Sequence, residues 1–367
     1  MNLYLDNIIF SLQKAGGISV VWHELLKRLL KDSDFEVSVI DEPNQNIFRN
    51  QLDISKELIL NNPLCKYPMS VQRYLNPNML KGNGIFHSSY YRTVNNPQMV
   101  NITTVHDFTY EYFRNGFSKY VHKAQKGAAI MNSKRIICVS QNTRTDLLNF
   151  YPKIKEDQVK VIYNGVNNLY QPLLYKDELL LNQLIPFSTG EFVLFVGDRK
   201  SLYKNFNLAV IACKISNQPL VMVGGGVLTH KEMQLLDKNL GVNKFKQLNE
   251  LNNEQFNLIF NHAFCLLYPS LYEGFGIPII EAQRAGCPVI STNYSSIPEI
   301  AGKGAILIDK VNEHQIADML NLLRKDSKVL AELREEGFKN SKRFSWDKCY
   351  QQTKDLYKEV FEKYICK

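Results

Sequence analysis

The stretch PSLYEGFGIPIIEAQRAGCPVISTNYSSIPE, residues 269–299, decides the fold of this 367-residue chain. A Gly-Phe-Gly loop at residues 274–276 runs into an apolar segment that begins at Pro278 and carries Glu281. Proline fits the first turn of a helix, because its missing N–H is not needed there. Gly286 ends the predicted helix, and CPVIST after it predicts a short buried strand. Loop, helix and strand therefore follow one another in this stretch.

The glycine loop leads directly into the N-terminus of the predicted helix. A helix N-terminus presents free N–H groups and a partial positive charge, which favour a phosphate or another anion. Two carboxylates, Glu273 and Glu281, lie in the same element. An anion site alone does not explain this acidic pair.

Strand-like and helix-like segments alternate on both sides of this stretch. We predict strands at residues 3–10, 35–40, 84–87, 100–105, 135–139, 159–162, 192–196, 220–223, 244–248, 264–268 and 305–308. Predicted helices lie between them, for example at about 18–30 and 208–215, whereas residues 43–83 have no clear period. This alternation predicts the α/β class, with two successive doubly wound parallel sheets.

The predicted domain boundaries follow a loosening of the pattern around Pro172 and Pro186. We predict one Rossmann-like domain over residues 1–170, a linker over 171–190 and a second Rossmann-like domain over 191–345. Residues 346–367 form a last helix. Ligands of such sheets lie beyond the carboxyl ends of the strands, so the expected site is a central cleft that the two domains face. Residues 167–190 would act as the hinge of that cleft.

Composition limits the possible classes of protein. The chain is 45% hydrophobic and 22% charged, with a formal net charge of +8, as in an ordinary globular protein. The charge fits an acidic ligand or an anionic membrane surface, and equally a basic protein that binds neither. No apolar run is long enough to predict a transmembrane helix, and the N-terminus does not read as a signal peptide. The seven scattered cysteines include no CxxC pair, which indicates buried thiols in a reducing cytoplasm.

Candidate ligand-binding residues follow the predicted strands. Gly16 and Gly17 precede a helix and would allow a close approach of ligand, although a simple tight turn fits equally well. His106 ends a strand, where a structural role is the commoner one for a lone histidine. Arg199 and Lys204 follow another strand and could bind a diphosphate between them. The alternative interpretation is that both are solvated basic residues of a loop.

Taken together, these residues resemble the family 4 retaining glycosyltransferases, which have the GT-B architecture. The hallmark is a pair of glutamates separated by seven residues, here Glu273 and Glu281. Further matches occur in the same order as in that family: GGIS at 16–19, TTVHDF at 103–108, VSQNTRTDL at 139–147, VIYNGV at 161–166, FVGDRKSLYKNF at 195–206, SSIPEIAG at 295–302 and FSWDKCYQQT at 344–353. The GGIS start and the His-Asp pair are most similar to bacterial polysaccharide mannosyltransferases.

The resemblance implies a role for each part of the site. The first domain would bind the acceptor and the second the nucleotide sugar, and the last helix would cross back to the first domain. Lys204 and either Arg199 or Lys200 would bind the donor diphosphate. Glu281 would bind the ribose, and Glu273 would lie near the donor sugar. The remaining implied contacts are His106 on the donor sugar from the opposite domain, Gly17 near phosphate or acceptor, the amides of Gly274, Phe275, Gly276 and Ile277 facing the phosphates or sugar, and Gly197 and Leu248 near the diphosphate and the base.

No metal site is expected. Asp32-Ser33-Asp34 is the only Asp-x-Asp triplet, and we predict a solvated turn there, so the reaction is predicted to be metal-independent. Retention through a covalent intermediate would need a carboxylate nucleophile at the anomeric carbon. The family is assigned a front-face route without one. The substrate would be a GDP- or UDP-linked sugar, and no other cofactor is expected.

A basic helix suggests a second kind of partner. Lys119, Lys123 and Lys126 recur at helical spacing, and a shared face would suit anionic lipid head groups or a lipid-linked acceptor. A solvated face is the alternative. We expect a cytoplasmic protein, placed at the inner face of the cell membrane if this contact forms.

The predicted function is transfer of a hexose, mannose or a related sugar, to a glycan or lipid-linked acceptor in bacterial surface polysaccharide (lipopolysaccharide) synthesis, with no nucleic-acid partner. One alternative is a sugar-nucleotide epimerase of the same architecture. Another is a non-catalytic subunit of a transferase complex, against which the intact set of Glu273, Glu281, Arg199, Lys204 and His106 argues.

Overall fold

The computed structural model describes residues 1–77, 80–175, 177–249 and 251–366. The chain divides into two compact units, Met1–Gly165 with Trp346–Lys367, and Val166–Ser345. Each unit contains a six-stranded sheet in which neighbouring strands are parallel, with helices between them. The prediction of two Rossmann-like α/β domains is therefore confirmed.

The sheet of the first unit has the strand order β2-β1-β3-β4-β5-β6. Its strands are β1 (Asn2–Asp6), β2 (Glu36–Ile40), β3 (Gly84–Ser88), β4 (Met99–Val105), β5 (Arg135–Cys138) and β6 (Val159–Val161). Its helices before the unit boundary are α1 (Ile8–Leu12), α2 (Gly17–Leu29), α3 (Met69–Gln72), α4 (Thr109–Phe113), α5 (Phe117–Met131) and α6 (Gln141–Phe150). Short 3-10 helices occupy Arg49–Gln51, Lys56–Leu58, Pro63–Lys66 and Glu156–Gln158. Three of them lie in the region whose elements the sequence could not place.

The first strand is shorter than predicted. It ends at Asp6, and the apolar residues after it form α1 and not a continuation of the strand. Asn7 makes the turn between them, where its side-chain oxygen accepts a 2.7 Å hydrogen bond from the indole of Trp22. A continuous apolar run does not distinguish a buried strand from a buried helix, which is why the prediction of a strand to Phe10 is wrong.

The sheet of the second unit has the order β12-β11-β10-β7-β8-β9. Its strands are β7 (Val193–Val196), β8 (Leu220–Val223), β9 (Phe245–Leu248), β10 (Cys265–Tyr268), β11 (Val289–Thr292) and β12 (Ala305–Ile308). Its helices are α7 (Glu178–Asn182), α8 (Phe206–Ile215), α9 (His230–Asn239), α10 (Asn253–His262), α11 (Ile277–Arg284), α12 (Ile297–Ala301), α13 (Glu313–Lys325) and α14 (Ser327–Ser341), and a 3-10 helix occupies Leu202–Lys204. The order reverses between β7 and β10. Ligands of doubly wound sheets bind at such a switch point.

The segment predicted as a linker, residues 171–190, lies within the second unit. The amide of Leu173 donates a 2.8 Å hydrogen bond to the side chain of Asn261 on α10, and that side chain donates to the carbonyl of Gln171 over 2.9 Å. The structure differs from the prediction here because prolines loosen the sequence pattern without preventing these contacts with α10.

The last helix, α15 (Trp346–Tyr364), belongs to the first unit, where Leu356, Tyr357 and Val360 join its hydrophobic core. The Tyr357 hydroxyl lies 2.6 Å from Nδ1 of His87 on β3. No helix in the described part of the chain is long and apolar enough to cross a bilayer.

The Asp32-Ser33-Asp34 triplet anchors α15. The Asp32 carboxylate accepts hydrogen bonds from Tyr350 and Lys354, and the Asp34 carboxylate lies 2.8 Å from the ammonium groups of Lys354 and Lys358. The predicted solvated turn is present, with Ser33 and Asp34 exposed, and it makes these additional contacts. Its carboxylates bind lysines of α15.

Candidate active site

Lys204 and Glu273 meet at the switch point of the second unit. Lys204 lies in the 3-10 helix that follows β7, and Glu273 lies in the loop after β10, the neighbouring strand. The two side chains form an ion pair in which each is only 12% exposed. Lys204 also donates a 3.0 Å hydrogen bond to the hydroxyl of Tyr268, and its ammonium group lies 4.9 Å from the centre of that ring. The structure thus places a partly desolvated cation beside a carboxylate.

Tyr268 is a site residue that sequence reasoning missed. It ends β10, it is buried, and its hydroxyl hydrogen-bonds Glu273. Burial, followed by the charge of Glu273, raises the pKa of this phenol well above its usual value, so the hydroxyl stays protonated. The available signal was its position, as the last residue of a predicted strand directly before the glycine loop.

Two serines after β11 hold the loop that carries Glu273. Ser295 Oγ accepts a 2.8 Å hydrogen bond from the Glu273 amide and donates a 3.0 Å bond to its carbonyl. Ser296 Oγ donates to the same carbonyl over 2.8 Å. Phe275 is buried and packs edge-to-face on Phe344, with 5.6 Å between the ring centres. The loop between Glu273 and α11 is therefore held in one conformation.

Helix α11 begins directly after this loop. Gly276 is its N-cap and has φ +95°, a left-handed conformation that favours glycine. Ile277 is the first helical residue, as the resemblance requires if the amides of Gly274, Phe275, Gly276 and Ile277 are to face an anion. That contact stays a prediction.

Glu281 lies on α11. The residue as a whole is partly exposed, but protein atoms surround its carboxyl group. Desolvation raises the pKa of this carboxyl to about 7, against a lowering by the hydrogen bond from the Tyr170 hydroxyl. Tyr170 is itself buried, and its ring centre lies 5.9 Å from that of Phe260. Sequence reasoning did not find Tyr170, because its pairing with Glu281 joins residues that are distant in the chain.

Arg199 lies against the glycine loop that follows β8, and its side chain is fully buried. Its guanidinium donates to the carbonyl of Gly224, to the carbonyl of Gly226 over 2.8 Å, and to the Glu232 carboxylate over 3.0 Å. These contacts organise the glycine loop. Lys200 is exposed. Contact of Arg199 with a diphosphate stays a prediction, and would require these hydrogen bonds to be exchanged.

Three further residues are predicted to bind the donor. Gly197 and Leu248 lie beside Lys204 and the glycine loop, and Gly17 lies at the start of a helix. Gly197 has φ +145°, and a Cβ placed there would lie 3.7 Å from the side chain of Lys204. Leu248 is buried at the end of β9, and its carbonyl accepts a 3.3 Å hydrogen bond from Gly224. Gly17 begins α2 in the first unit, where a Cβ would meet no atom within 4 Å. The fold alone therefore does not require glycine at position 17.

His106 directly follows β4 of the first unit and is partly exposed. Desolvation lowers the pKa of its imidazole to about 4, the charge of Asp107 opposes this lowering, and the charge of Lys126 adds to it. The imidazole is therefore neutral near pH 7, with one nitrogen able to donate a hydrogen bond and the other able to accept one.

The predicted basic face on α5 does not exist as three lysines. Lys126 is completely buried in an ion pair with Glu111, while Lys119 is partly exposed and Lys123 is exposed. The helical spacing of the three lysines was correct. Charge alone, however, does not reveal that a lysine on the inner side of an amphipathic helix has a buried partner.

Across the described ranges, no group of three or more histidine, cysteine, aspartate or glutamate side chains could hold a metal ion. Three groups of the described site could bind an anion. They are the Lys204 ammonium group, the N-terminus of α11 and the glycine loop after β8. These are the groups that bind phosphates in proteins.

Two family descriptions match the chain, one in each unit. "Glycosyltransferase Family 4" matches residues 15–168, and "Glycosyl transferases group 1" matches residues 178–340. An uncharacterized glycosyltransferase of Methanocaldococcus jannaschii is 26% identical over 363 residues, which cover 94% of this chain and 95% of that protein. O-antigen chain mannosyltransferase B of Escherichia coli is 26% identical, with 70% of each chain covered.

Solved structures show the same fold. The sucrose-phosphate synthase of Thermosynechococcus elongatus superimposes with a TM-score of 0.79 over 99% of both chains at 17% identity. HepE of Anabaena in complex with UDP-glucose gives a TM-score of 0.74 over 98% of this chain and 100% of that one, at 18% identity. With the two family matches, which together cover most of the sequence, this chain belongs to the glycosyltransferases as a family-4-like member with the GT-B fold.

Proposed function

We propose that this glycosyltransferase is a retaining hexosyltransferase. It moves mannose or a related hexose from a GDP- or UDP-linked donor to a glycan or lipid-linked acceptor in bacterial surface polysaccharide synthesis. The observation that carries the proposal is the Lys204–Glu273–Tyr268 cluster at the switch point of the second unit. Relatives named as O-antigen mannosyltransferases support the choice of sugar, and a fold neighbour solved with UDP-glucose supports a nucleotide-sugar donor.

Cleavage of the donor develops negative charge on the leaving diphosphate. Lys204 stabilises that charge, because a preorganised cation in a partly desolvated site acts more strongly than one in water. Glu273 keeps Lys204 in place before the donor binds and then accepts hydrogen bonds from sugar hydroxyls. Glu281 accepts hydrogen bonds from the ribose, and the neutral His106 hydrogen-bonds the sugar.

The same cluster favours a front-face route to retention. A carboxylate nucleophile would have to attack the anomeric carbon. Glu273 already accepts hydrogen bonds from Lys204 and Tyr268, which stabilise its negative charge and weaken it as a nucleophile. We propose that Lys204 and the N-terminus of α11 supply the positive charge that a metal supplies elsewhere, so that transfer is metal-independent.

Thermal unfolding with a panel of nucleoside diphosphates tests the donor-binding proposal. We expect GDP or UDP to raise Tm in the presence of EDTA, because a ligand at a hundredfold excess over its Kd stabilises by about 2.7 kcal/mol. Stabilisation by none of the panel, or only after a divalent metal is added, contradicts the proposal.

Product analysis then separates transfer from the rival activity. The stabilising nucleotide, as its mannose or glucose conjugate, is incubated with and without a glycan acceptor. Transfer with retained anomeric configuration, read by NMR, supports the proposal. An isomerised sugar nucleotide formed without acceptor supports the epimerase alternative.

We also propose a peripheral contact with anionic membranes through α5 and the short segment before it. Phe117 is 82% exposed and Tyr120 69% exposed, and the exposed Arg114 and Lys123 lie in the same segment. Exposed aromatic rings beside basic residues are typical of surfaces that lie at a lipid interface. The sequence predicted a surface that includes Lys126. Because Lys126 is buried, the proposed surface consists of the exposed aromatic rings and the exposed basic residues.

Vesicle co-sedimentation tests this contact. We expect binding to vesicles with one third phosphatidylglycerol and not to phosphatidylcholine alone. Lys123→Glu should weaken it at least fivefold, since each basic residue near the surface contributes about 1 kcal/mol, and Phe117→Ser should weaken it further. Lys238→Glu, an exposed lysine of α9 in the other unit, is the control. Equal binding of all four proteins excludes this surface.

A further inference from the structure

A completely buried ion pair lies beneath the loop that carries His106. The Lys126 ammonium is 2.8 Å from the Glu111 carboxylate, and the two side chains are 0% and 1% exposed. Such a pair is a weak source of stability, because desolvating two charges costs about as much as their attraction returns. Its presence under a candidate site therefore calls for another explanation.

Lys126 connects helix α5 to the His106 loop. Its Nζ donates a 2.9 Å hydrogen bond to the carbonyl of Asp107, the residue after His106. The same ammonium group lies 4.6 Å from the ring centre of Phe108, the next residue. Glu111, on α4, completes the set of contacts. One side chain thus holds the main chain immediately after His106.

Tyr91 holds the other side of the loop. Its hydroxyl hydrogen-bonds the backbone of His106, and its ring lies 5.6 Å from the Lys126 ammonium. Tyr91 has φ +49°, a left-handed conformation that is strained for an aromatic residue and persists only where the surroundings enforce it. The next residue, Arg92, is fully buried, and its Nε donates a 2.7 Å hydrogen bond to Asp6.

We propose that Lys126, held by Glu111 and assisted by Tyr91, is a positioning residue that fixes the His106 loop for the transfer reaction. This inference rests on the proposed role of His106. A buried ammonium group at this place fixes the main chain through Asp107 and disfavours a second positive charge on the imidazole. Both effects keep His106 in one orientation and in its neutral form, and small displacements of a substrate-contacting group cost much activity.

The test replaces the pair, and not one partner alone, because Lys126→Met by itself leaves a buried carboxylate without its cation. In the double variant Lys126→Met/Glu111→Leu, apolar side chains of similar size fill the space, and such replacements often preserve stability. We expect Tm within a few degrees of the wild type, kcat at least tenfold lower and KM for the donor changed less than threefold. Lys134→Met, an exposed lysine just after α5, is the matched control.

His106 titration provides a readout that does not depend on activity. In the wild type, the His106 imidazole signals should not titrate above pH 5 by NMR, since its pKa is lowered to about 4. In the double variant the His106 pKa should rise, because the Lys126 charge is removed, but it should stay below the ordinary value, because desolvation is the largest cause of the lowering and remains. The His106→Gln variant assigns the signals. The proposal is overturned if a folded double variant has the wild-type kcat and the wild-type pKa of the His106 imidazole.

Tyr91→Phe serves as a second measurement if the double variant does not fold. It removes only the hydroxyl that bonds the His106 backbone, and it should lower kcat about threefold or more at unchanged Tm. Unchanged kcat and unchanged His106 titration there overturn the proposal. If His106→Gln itself leaves kcat intact, the proposed role of His106 fails. The titration shifts then still show whether Lys126 and Tyr91 control the loop.

Discussion

Replacing Lys204 by methionine is expected to lower kcat/KM for sugar transfer roughly a hundredfold, a loss of about 3 kcal/mol of transition-state stabilisation. The physical reason is the position of the ammonium group. It is only 12% exposed, it is oriented by Glu273 and Tyr268, and it lies at the edge of the sheet where doubly wound folds bind their ligands. A cation that is oriented before the donor arrives needs little reorganisation as charge develops on the diphosphate.

The neutral pair Lys204→Met/Glu273→Gln separates catalysis from stability. Lys204→Met alone leaves Glu273 without its cation, and a partly buried unpaired carboxylate destabilises the fold. The neutral pair should recover most of the lost Tm while its activity stays low. Lys214→Met, an exposed lysine at the end of α8, should behave as wild type. Activity of Lys204→Met within a few-fold of wild type, measured by product formation, rules out the assigned role.

The second large effect is expected at Glu281. Glu281→Ala should also lower kcat/KM roughly a hundredfold, because it removes a carboxylate that would accept hydrogen bonds from the ribose and leaves the buried Tyr170 hydroxyl without its partner. Glu335→Ala is the matched control, since this glutamate lies on the surface of α14 and pairs with exposed Lys339. Unchanged donor affinity in Glu281→Ala, measured by titration calorimetry, is incompatible with ribose binding at this site.

Glu281 also makes a pH dependence testable. Its pKa is raised to about 7 in the free protein, so at pH 6 most molecules carry the protonated carboxyl, which accepts hydrogen bonds poorly. Donor hydroxyls favour the carboxylate. Affinity for an intact nucleotide sugar should therefore rise with pH through about 7, where half of the carboxyls are still protonated, and level off only at higher pH, and Glu281→Gln should remove this slope. Donor affinities of the wild type and of Glu281→Gln, measured at pH 6 and pH 8, test this pH dependence.

The raised pKa of Glu281 also makes the stability of the free protein depend on pH, and this stability falls with rising pH whereas the donor affinity rises. Between its ordinary value of 4.5 and about 7, Glu281 binds more protons in the native state than in the unfolded state. By linkage, its contribution to the free energy of unfolding falls as the pH rises through this range. The site residue thus destabilises the unliganded fold under the conditions that favour donor binding.

Much of the fold was predictable because it depends on local patterns. The alternation of apolar runs with helical periods predicted two parallel sheets, and the glycine before Ile277 predicted the start of α11. The glutamate pair with its glycine loop pointed to the glycosyltransferases, which the family matches confirm. The error at the first strand, which ends at Asp6, arose where local pattern is ambiguous, in a continuous apolar run.

The sequence by itself therefore determined the α/β class, the family and the segments that carry the candidate site, since each depends on residues close together in the chain. Only the tertiary structure decided what each charged side chain contacts. It pairs Lys126 with Glu111 in the interior, places Arg199 against its glycine loop, and sets Tyr170 on Glu281. The physical reason is that burial and charge pairing depend on contacts between distant segments, and neither composition nor helical spacing contains them.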